Sequence, residues 1–201
     1  PDLSALANNP LKDRKVLYLL HGLSDDGSAW QRYTGIEIAA RDYGLVVVDQ
    51  HVAHERVLYE RVRRRLAGER PAGQRLLEPI LVEVGEAMAA ALPRVAGLLA
   101  AVGLEVVRFG STTLRLESVP VELEGETAQD LVSELLERAT SLDLEPDGAL
   151  DALAHEVAAG LSCRAAIKVN HALTVEEQRA LVSDLMATER PYRCPHGRPI
   201  V

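Results

Sequence analysis

Asp49-Gln50-His51-Val52-Ala53-His54-Glu55-Arg56-Val57-Leu58-Tyr59-Glu60 is the stretch whose reading decides the fold. Directly before it, Gly44-Leu45-Val46-Val47-Val48 is a β-branched run that reads as a short buried strand. Leu58, Val62 and Leu66 then recur four residues apart, so the chain continues as a helix. On that helix His51 and Glu55 are one turn apart and share a face. Asp49 ends the strand, a place from which an acidic side chain can point into a crevice. Glu60 lies about 140° round the helix from Glu55 at 3.6 residues per turn, which suits a residue that supports a ligand rather than being one. Two carboxylates and an imidazole converging at a strand-to-helix junction make a candidate metal site. The plainer alternative is that His54, Glu55 and Glu60 form a solvated helix face salt-bridged to Arg56 and Arg61.

Two hundred and one residues suit one larger domain or two small ones, and 47% apolar residues supply a real core. With one Trp and one Phe, that core must be mostly Leu, Val and Ala. The formal net charge of −8 argues against gripping nucleic acid by bulk electrostatics. DNA binding by this chain alone would therefore be weak, and would need a local basic patch, a metal or another domain. Arg61, Arg63, Arg64 and Arg65 form the one dense basic run, which reads as solvated helix surface. No apolar run reaches transmembrane length and no charged-then-apolar leader opens the chain, so no membrane is expected. The start at Pro1, without an initiator methionine, suggests an excised piece. Cys163 and Cys194 make no disulfide framework, and a cytosolic setting with both thiols free is the default.

Taken in order, Lys15–Leu20 reads as a strand, His21–Ser28 as a loop and Ala29–Tyr43 as a helix ending at Gly44. With the strand at Leu45–Val48 this is a βαβ unit, which implies parallel strands and a right-handed crossover. A further strand is expected over Leu76–Val84, after a Gly/Pro-rich break. Glu86–Val102 follows as a helix with Met88, Leu92, Val95, Leu99 and Val102 on one face and a kink or restart at Pro93. Gly110-Ser111 reads as the turn of a hairpin between Leu104–Phe109 and Thr112–Ser118. Thr127–Ala139 and Asp147–Leu161 are amphipathic, with Cys163 just beyond the second helix. Thr174-Val175-Glu176-Glu177 is a capping box opening a helix to about Thr188. The tail from Tyr192 to Pro199 reads as extended or looped, and in an extended segment Cys194 and His196 point to the same side. The whole is an α/β chain of mixed α+β type, with two lobes and an N-terminal βαβ unit.

Residues 15–48 resemble the esterase D-like branch of the α/β-hydrolases, in which a strand runs into a His-Gly loop. No Gly-x-Ser-x-Gly elbow follows anywhere, so His21, Ser24 and Ser28 lack a hydrolase around them. From about Gly44 onward the chain resembles the C-terminal endonuclease domain of the MutL mismatch-repair family. Asp49 to Glu55 with Glu60 resembles that family's metal-binding nuclease motif, with Val52 where Ala is usual. Ser162–Lys168 resembles its cysteine-containing motif, Cys194-Pro195-His196-Gly197-Arg198-Pro199 its C-terminal motif, and Gln74–Pro79 its sliding-clamp-binding segment. On spacing alone Gln74–Pro79 reads as a strand start.

The resemblance implies a nicking endonuclease for DNA, active with manganese (Mn2+) and regulated by zinc (Zn2+). It makes Asp49, His51 and Glu55 catalytic and makes His51, Glu55, Cys163, Cys194 and His196 metal ligands. Glu60 and Arg198 would support them, Arg198 by steadying a phosphate. Gln74, Leu77 and Pro79 would bind the clamp. The likeness further implies a homodimer in the bacterial cytosol and nucleoid, and an ATPase domain that is absent from this chain. Residues 1–77 and 162–201 would form a discontinuous dimerisation and nuclease lobe, and 78–161 a regulatory lobe. Family members usually enter the nuclease motif through an antiparallel hairpin, so the βαβ reading of residues 15–48 suggests a chimera joined near Gly44–Asp49. Phosphodiester hydrolysis needs an activated water and a neutralised leaving oxygen, which two cations about 3.5–4 Å apart provide when a carboxylate such as Glu55 bridges them. The competing expectation is a catalytically silent, zinc-binding homodimerisation module.

Overall fold

A computed structural model of the chain describes residues 15–19, 45–69, 73–141, 149–167 and 172–200. Strand β1 (Lys15–Leu19) and strand β2 (Leu45–Asp49) pair in parallel, Lys15 opposite Leu45 and Leu19 opposite Asp49. That is the strand arrangement of the expected βαβ unit. The segment expected as its crossover helix, residues 29–43, lies outside the described residues, as does the 21–28 loop. β2 runs straight into helix α1 (Gln50–Leu66). Asp49 caps it, its Oδ1 accepting from the Val52 N–H at 3.0 Å. An acidic side chain there satisfies one of the helix's orphan donors. Arg63, Arg64 and Arg65 in the last turn suit the negative end of the helix dipole.

The chain separates into two compact units, residues 1–57 with 166–201, and residues 58–165, the division falling inside α1. In the first unit a small core gathers Val48, Val52, Ala53 and Val57 with Leu181, Leu185, Cys194 and Ile200. Leu181 and Leu185 come from helix α5 (Val175–Met186). Its capping box is complete: the Thr174 hydroxyl accepts from the Glu177 N–H, and the Glu177 carboxylate takes the Thr174 N–H.

The second unit is built on a three-stranded antiparallel sheet in the order β3 (Gly73–Glu83), β5 (Thr113–Pro120), β4 (Glu105–Arg108). Helices α2 (Glu86–Ala101) and α3 (Gly125–Ser141) pack on it, and α4 (Ala149–Ala165) packs against those two helices. Alternation in β5 turns Leu114 and Leu116 inward, where both are fully buried, and leaves Arg115 and Glu117 to pair on the other side. Leu92, Val95, Leu99 and Val102 form the buried stripe that the spacing predicts, and they join Leu131, Leu135, Leu136, Leu153 and Leu161 in one leucine-rich core. The β4–β5 turn passes through Gly110 at φ 95°, which a glycine adopts without strain.

Two local expectations are corrected. Pro93 does not restart its helix, because α2 runs through it as one helix with Pro93 on the exposed side. The helix expected to stop at Leu161 continues to Ala165, so Cys163 lies within α4 rather than after it. No breaker separates Leu161 from Ala165, and Ser162 stays helical by donating its hydroxyl to the Ala159 carbonyl at 3.0 Å. Of the two forms expected for the tail, extended or looped, Cys194–His196 takes the looped one. It folds back as a tight hairpin, Gly197 N–H to the Cys194 carbonyl at 3.0 Å and Cys194 N–H to the Arg198 carbonyl at 2.9 Å. Pro195 presets the turn and Gly197, at φ 84°, closes it.

Candidate metal centre

The tail hairpin is fastened to the β2–α1 junction at two points. The Ile200 carbonyl accepts from the Asp49 N–H at 3.0 Å, and the Arg193 carbonyl accepts from Arg56 Nε at 2.6 Å. The turn residues Cys194, His196 and Arg198 therefore stand against the first two turns of α1. Glu55 meets them there. Its carboxylate is fully buried, with Oε1 accepting from His196 Nδ1 at 2.5 Å and Oε2 from Arg198 Nη2 at 2.6 Å.

A carboxylate withdrawn from water loses several kcal/mol of solvation, so it persists only with compensating charge and hydrogen bonds. Arg198 supplies both. Burial works to lower the Arg198 pKa, but the hydrogen bond with Cys194 and the charges of Glu55 and Cys194 outweigh it, and the net displacement is upward. The guanidinium is therefore a fixed positive charge beside Glu55 and Cys194.

Glu55, Cys194 and His196 place a carboxylate oxygen, a sulfur and a ring nitrogen all within 4.8 Å of one another. Cys194 is nearly as buried as Glu55, while His196 reaches toward solvent. Sulfur, nitrogen and oxygen donors converging on one point are the set that zinc and similar borderline cations take. The residues present therefore fit a divalent metal, and among the described residues this is the one such cluster. The plain alternative of a solvated face fails at Glu55 and at Arg56, which are both buried.

The other expected participants are placed as follows. His51 is half-buried one turn before Glu55, its Nδ1 2.8 Å from the Ile167 carbonyl oxygen. A carbonyl only accepts, so Nδ1 carries a proton, and in the neutral ring Nε2 then holds the lone pair. Asp49 spends Oδ1 on the helix cap. Glu60 and Cys163 belong to the second unit, Glu60 half-buried and Cys163 exposed on α4. Gln74, Leu77 and Pro79 are exposed on β3, and Leu77 is 100% exposed. The β3–β5 ladder skips from Arg75, opposite Ser118, to Ile80, opposite Leu116. Residues 76–79 thus face the single residue Glu117 and bulge from the sheet.

Two contributors escaped sequence reasoning. His54 accepts from the Ile167 N–H at 2.9 Å, and Arg56 anchors the tail. The signal for His54 was its i, i+3 spacing from His51, which puts both rings on neighbouring positions of one helix face. No local signal marked Arg56, whose acceptor is a backbone oxygen 137 residues away.

With this geometry in hand, the chain can be set beside known proteins. The model of the MutL C terminal dimerisation domain matches residues 36–173. The match begins before Gly44 and stops short of the tail hairpin. The chain is 39% identical over 165 residues to a DNA mismatch repair protein MutL of Koribacter versatilis, covering 82% of this chain and 25% of that protein. It is similarly 36% identical over 181 residues to MutL of Solibacter usitatus (90% and 27%), and 38% identical over 176 residues to MutL of Chlorobium chlorochromatii (86% and 26%). The chain thus spans about a quarter of the length of these curated relatives.

Proposed function

This chain belongs to the MutL C-terminal dimerisation domain family, and from that premise we propose that it is the self-associating, metal-binding domain of a DNA mismatch-repair protein and that it nicks DNA with a divalent cation. The observation that carries the reading is the convergence of Glu55, Cys194 and His196 beside Arg198. These three residues hold the cation, with His51 one helical turn away as a further nitrogen donor. The family likeness adds Cys163, and metal stoichiometry of a Cys163→Ser variant tests that addition. A divalent cation supplies Lewis-acid polarisation of a phosphate and a bound water acidified toward neutrality. The chain's own residues do the rest. Arg198 presents guanidinium donors that suit phosphate oxygens. Asp49 starts α1 so that Glu55 falls two turns in, opposite the tail.

The likeness also carries the assembly. Self-association is assigned to residues 1–77 and 162–201, regulation to residues 78–161, and ATP hydrolysis to a separate domain of the longer protein. A net charge of −8 is consistent with DNA binding that is weak for this chain alone. The bulged segment Gln74–Pro79, with its fully exposed Leu77, has the form of an anchor for a sliding clamp. Among the described residues no helix is long and apolar enough to cross a membrane, and the proposed work on DNA would place the protein in the bacterial cytosol and nucleoid.

A second reading, a catalytically silent zinc-binding homodimerisation module, draws support from Glu55 itself, since both of its oxygens are engaged by His196 and Arg198. Manganese-dependent nicking of supercoiled plasmid separates the two. The first reading expects nicked circles from the wild type and none from Glu55→Ala or His196→Ala. Zinc binding without nicking establishes the second.

A further inference from the structure

Ile167 is held by two histidines at once. Its carbonyl oxygen lies 2.8 Å from His51 Nδ1, and its N–H donates to His54 Nδ1 at 2.9 Å. The first contact requires a proton on His51 Nδ1 and the second requires a lone pair on His54 Nδ1, because a carbonyl only accepts and an N–H only donates. One residue's backbone thus selects opposite tautomers in two rings that are three apart on α1. The arrangement is local to the first unit, since all three residues belong to it.

We propose that Ile167 and His54 together form a tautomer lock on His51, holding it as the Nδ1–H imidazole with Nε2 as its lone-pair donor. His54 is a positioning residue: it acts on His51 through the backbone of Ile167. Without His54 the Ile167 N–H loses its acceptor, residue 167 is freed to move, and the carbonyl that orients His51 moves with it. The functional consequence rests on the metal reading above. A histidine takes a cation through an unprotonated nitrogen, and ligating histidines usually donate their other N–H to a backbone carbonyl or carboxylate. The lock would present His51 already in that form.

The lock is read without any metal, from long-range 1H–15N correlation spectra of the histidine-labelled full chain at pH 8. His51→Asn and His54→Asn assign the two rings among six histidines. Asparagine places an amide atom where Nδ1 stands, so His54→Asn keeps an acceptor for Ile167 and His54→Ala does not. The expected result is His51 as Nδ1–H in the wild type and in His54→Asn, and mixed tautomers in His54→Ala. Zinc affinity, measured by competition with a chelating dye, should fall about tenfold in His54→Ala, the lower end for loss of an outer partner, and should hold in His54→Asn. A wild-type His51 protonated on Nε2 overturns the lock, as does a His54→Ala variant with both the Nδ1–H pattern and wild-type zinc affinity. Should His54→Ala fail to fold, the wild-type spectrum alone decides. A wild type that shows Nδ1–H yet binds no zinc sinks the metal reading while the lock stands.

Discussion

Replacing Arg198 by methionine keeps the aliphatic stem and deletes the guanidinium, leaving Glu55 with His196 alone. Glu55 is 0% exposed, so the loss leaves a buried carboxylate half-compensated. Breaking a buried pair from one side typically costs 3–5 kcal/mol. Arg198 itself is 36% exposed on its side chain, which lets water share part of its work, so about 3 kcal/mol is the appropriate end of that range. For a chain of this size about 1 kcal/mol moves the midpoint by roughly 2–4 °C, so the metal-free variant should melt about 6–12 °C lower. Zinc should narrow the gap, since a bound cation stands in for the positive charge lost beside Glu55. The double variant Glu55→Gln/Arg198→Met should be more stable than Arg198→Met, because it leaves no buried carboxylate charge at position 55. Calorimetry of the three proteins with and without zinc makes the comparison. Metal-free Arg198→Met melting within a degree of wild type would refute the view of Arg198 as the counter-ion that keeps Glu55 buried.

Other expectations follow from single contacts. Gln74→Ala/Leu77→Ala should leave stability unchanged, since Leu77 touches nothing that folding buries, while weakening binding to a bacterial sliding clamp by about 1–4 kcal/mol; equal affinity in a titration would return the segment to being only a bulged strand. Thr174→Ala removes the hydroxyl of the capping box and should cost about 1 kcal/mol in denaturant unfolding. Leu136→Ala hollows the larger core, where Leu136 is fully buried, and should cost about 2–5 kcal/mol in denaturant unfolding.

Much of the molecule was legible wherever local chemistry decides the outcome. The four-residue recurrence after Glu55 became α1, the stripe from Leu92 to Val102 became a buried face, and Gly110-Ser111 became a hairpin turn. Thr174 and Glu177 closed their capping box because both partners lie within one turn. The family likeness named Glu55, Cys194, His196 and Arg198, and those four residues do meet. Less legible were the outcomes set by competition among nearly equal local choices. Pro93 passed as a helix residue because its ring faces outward, and Cys163 stayed helical because nothing before Ala165 interrupts the ladder. Residues 76–79 bulge because β3 has more residues than its partner strand opposes, a mismatch visible only once the register is known.

By itself, then, the amino-acid order determined the elements, their buried faces and the chemical kinds of donor available. Periodicity, capping and turn preference act over a few residues, and those ranges are written in the chain. Only tertiary structure decided that Glu55 would be withdrawn from water, that His196 and Arg198 would reach it across 141 and 143 residues, and that one backbone residue, Ile167, would select the tautomers of two histidines more than a hundred residues earlier. The reason is physical: a helix face can carry a carboxylate whether or not anything meets it. Burial, charge pairing and tautomer all depend on which distant groups the fold brings within about 3 Å of it.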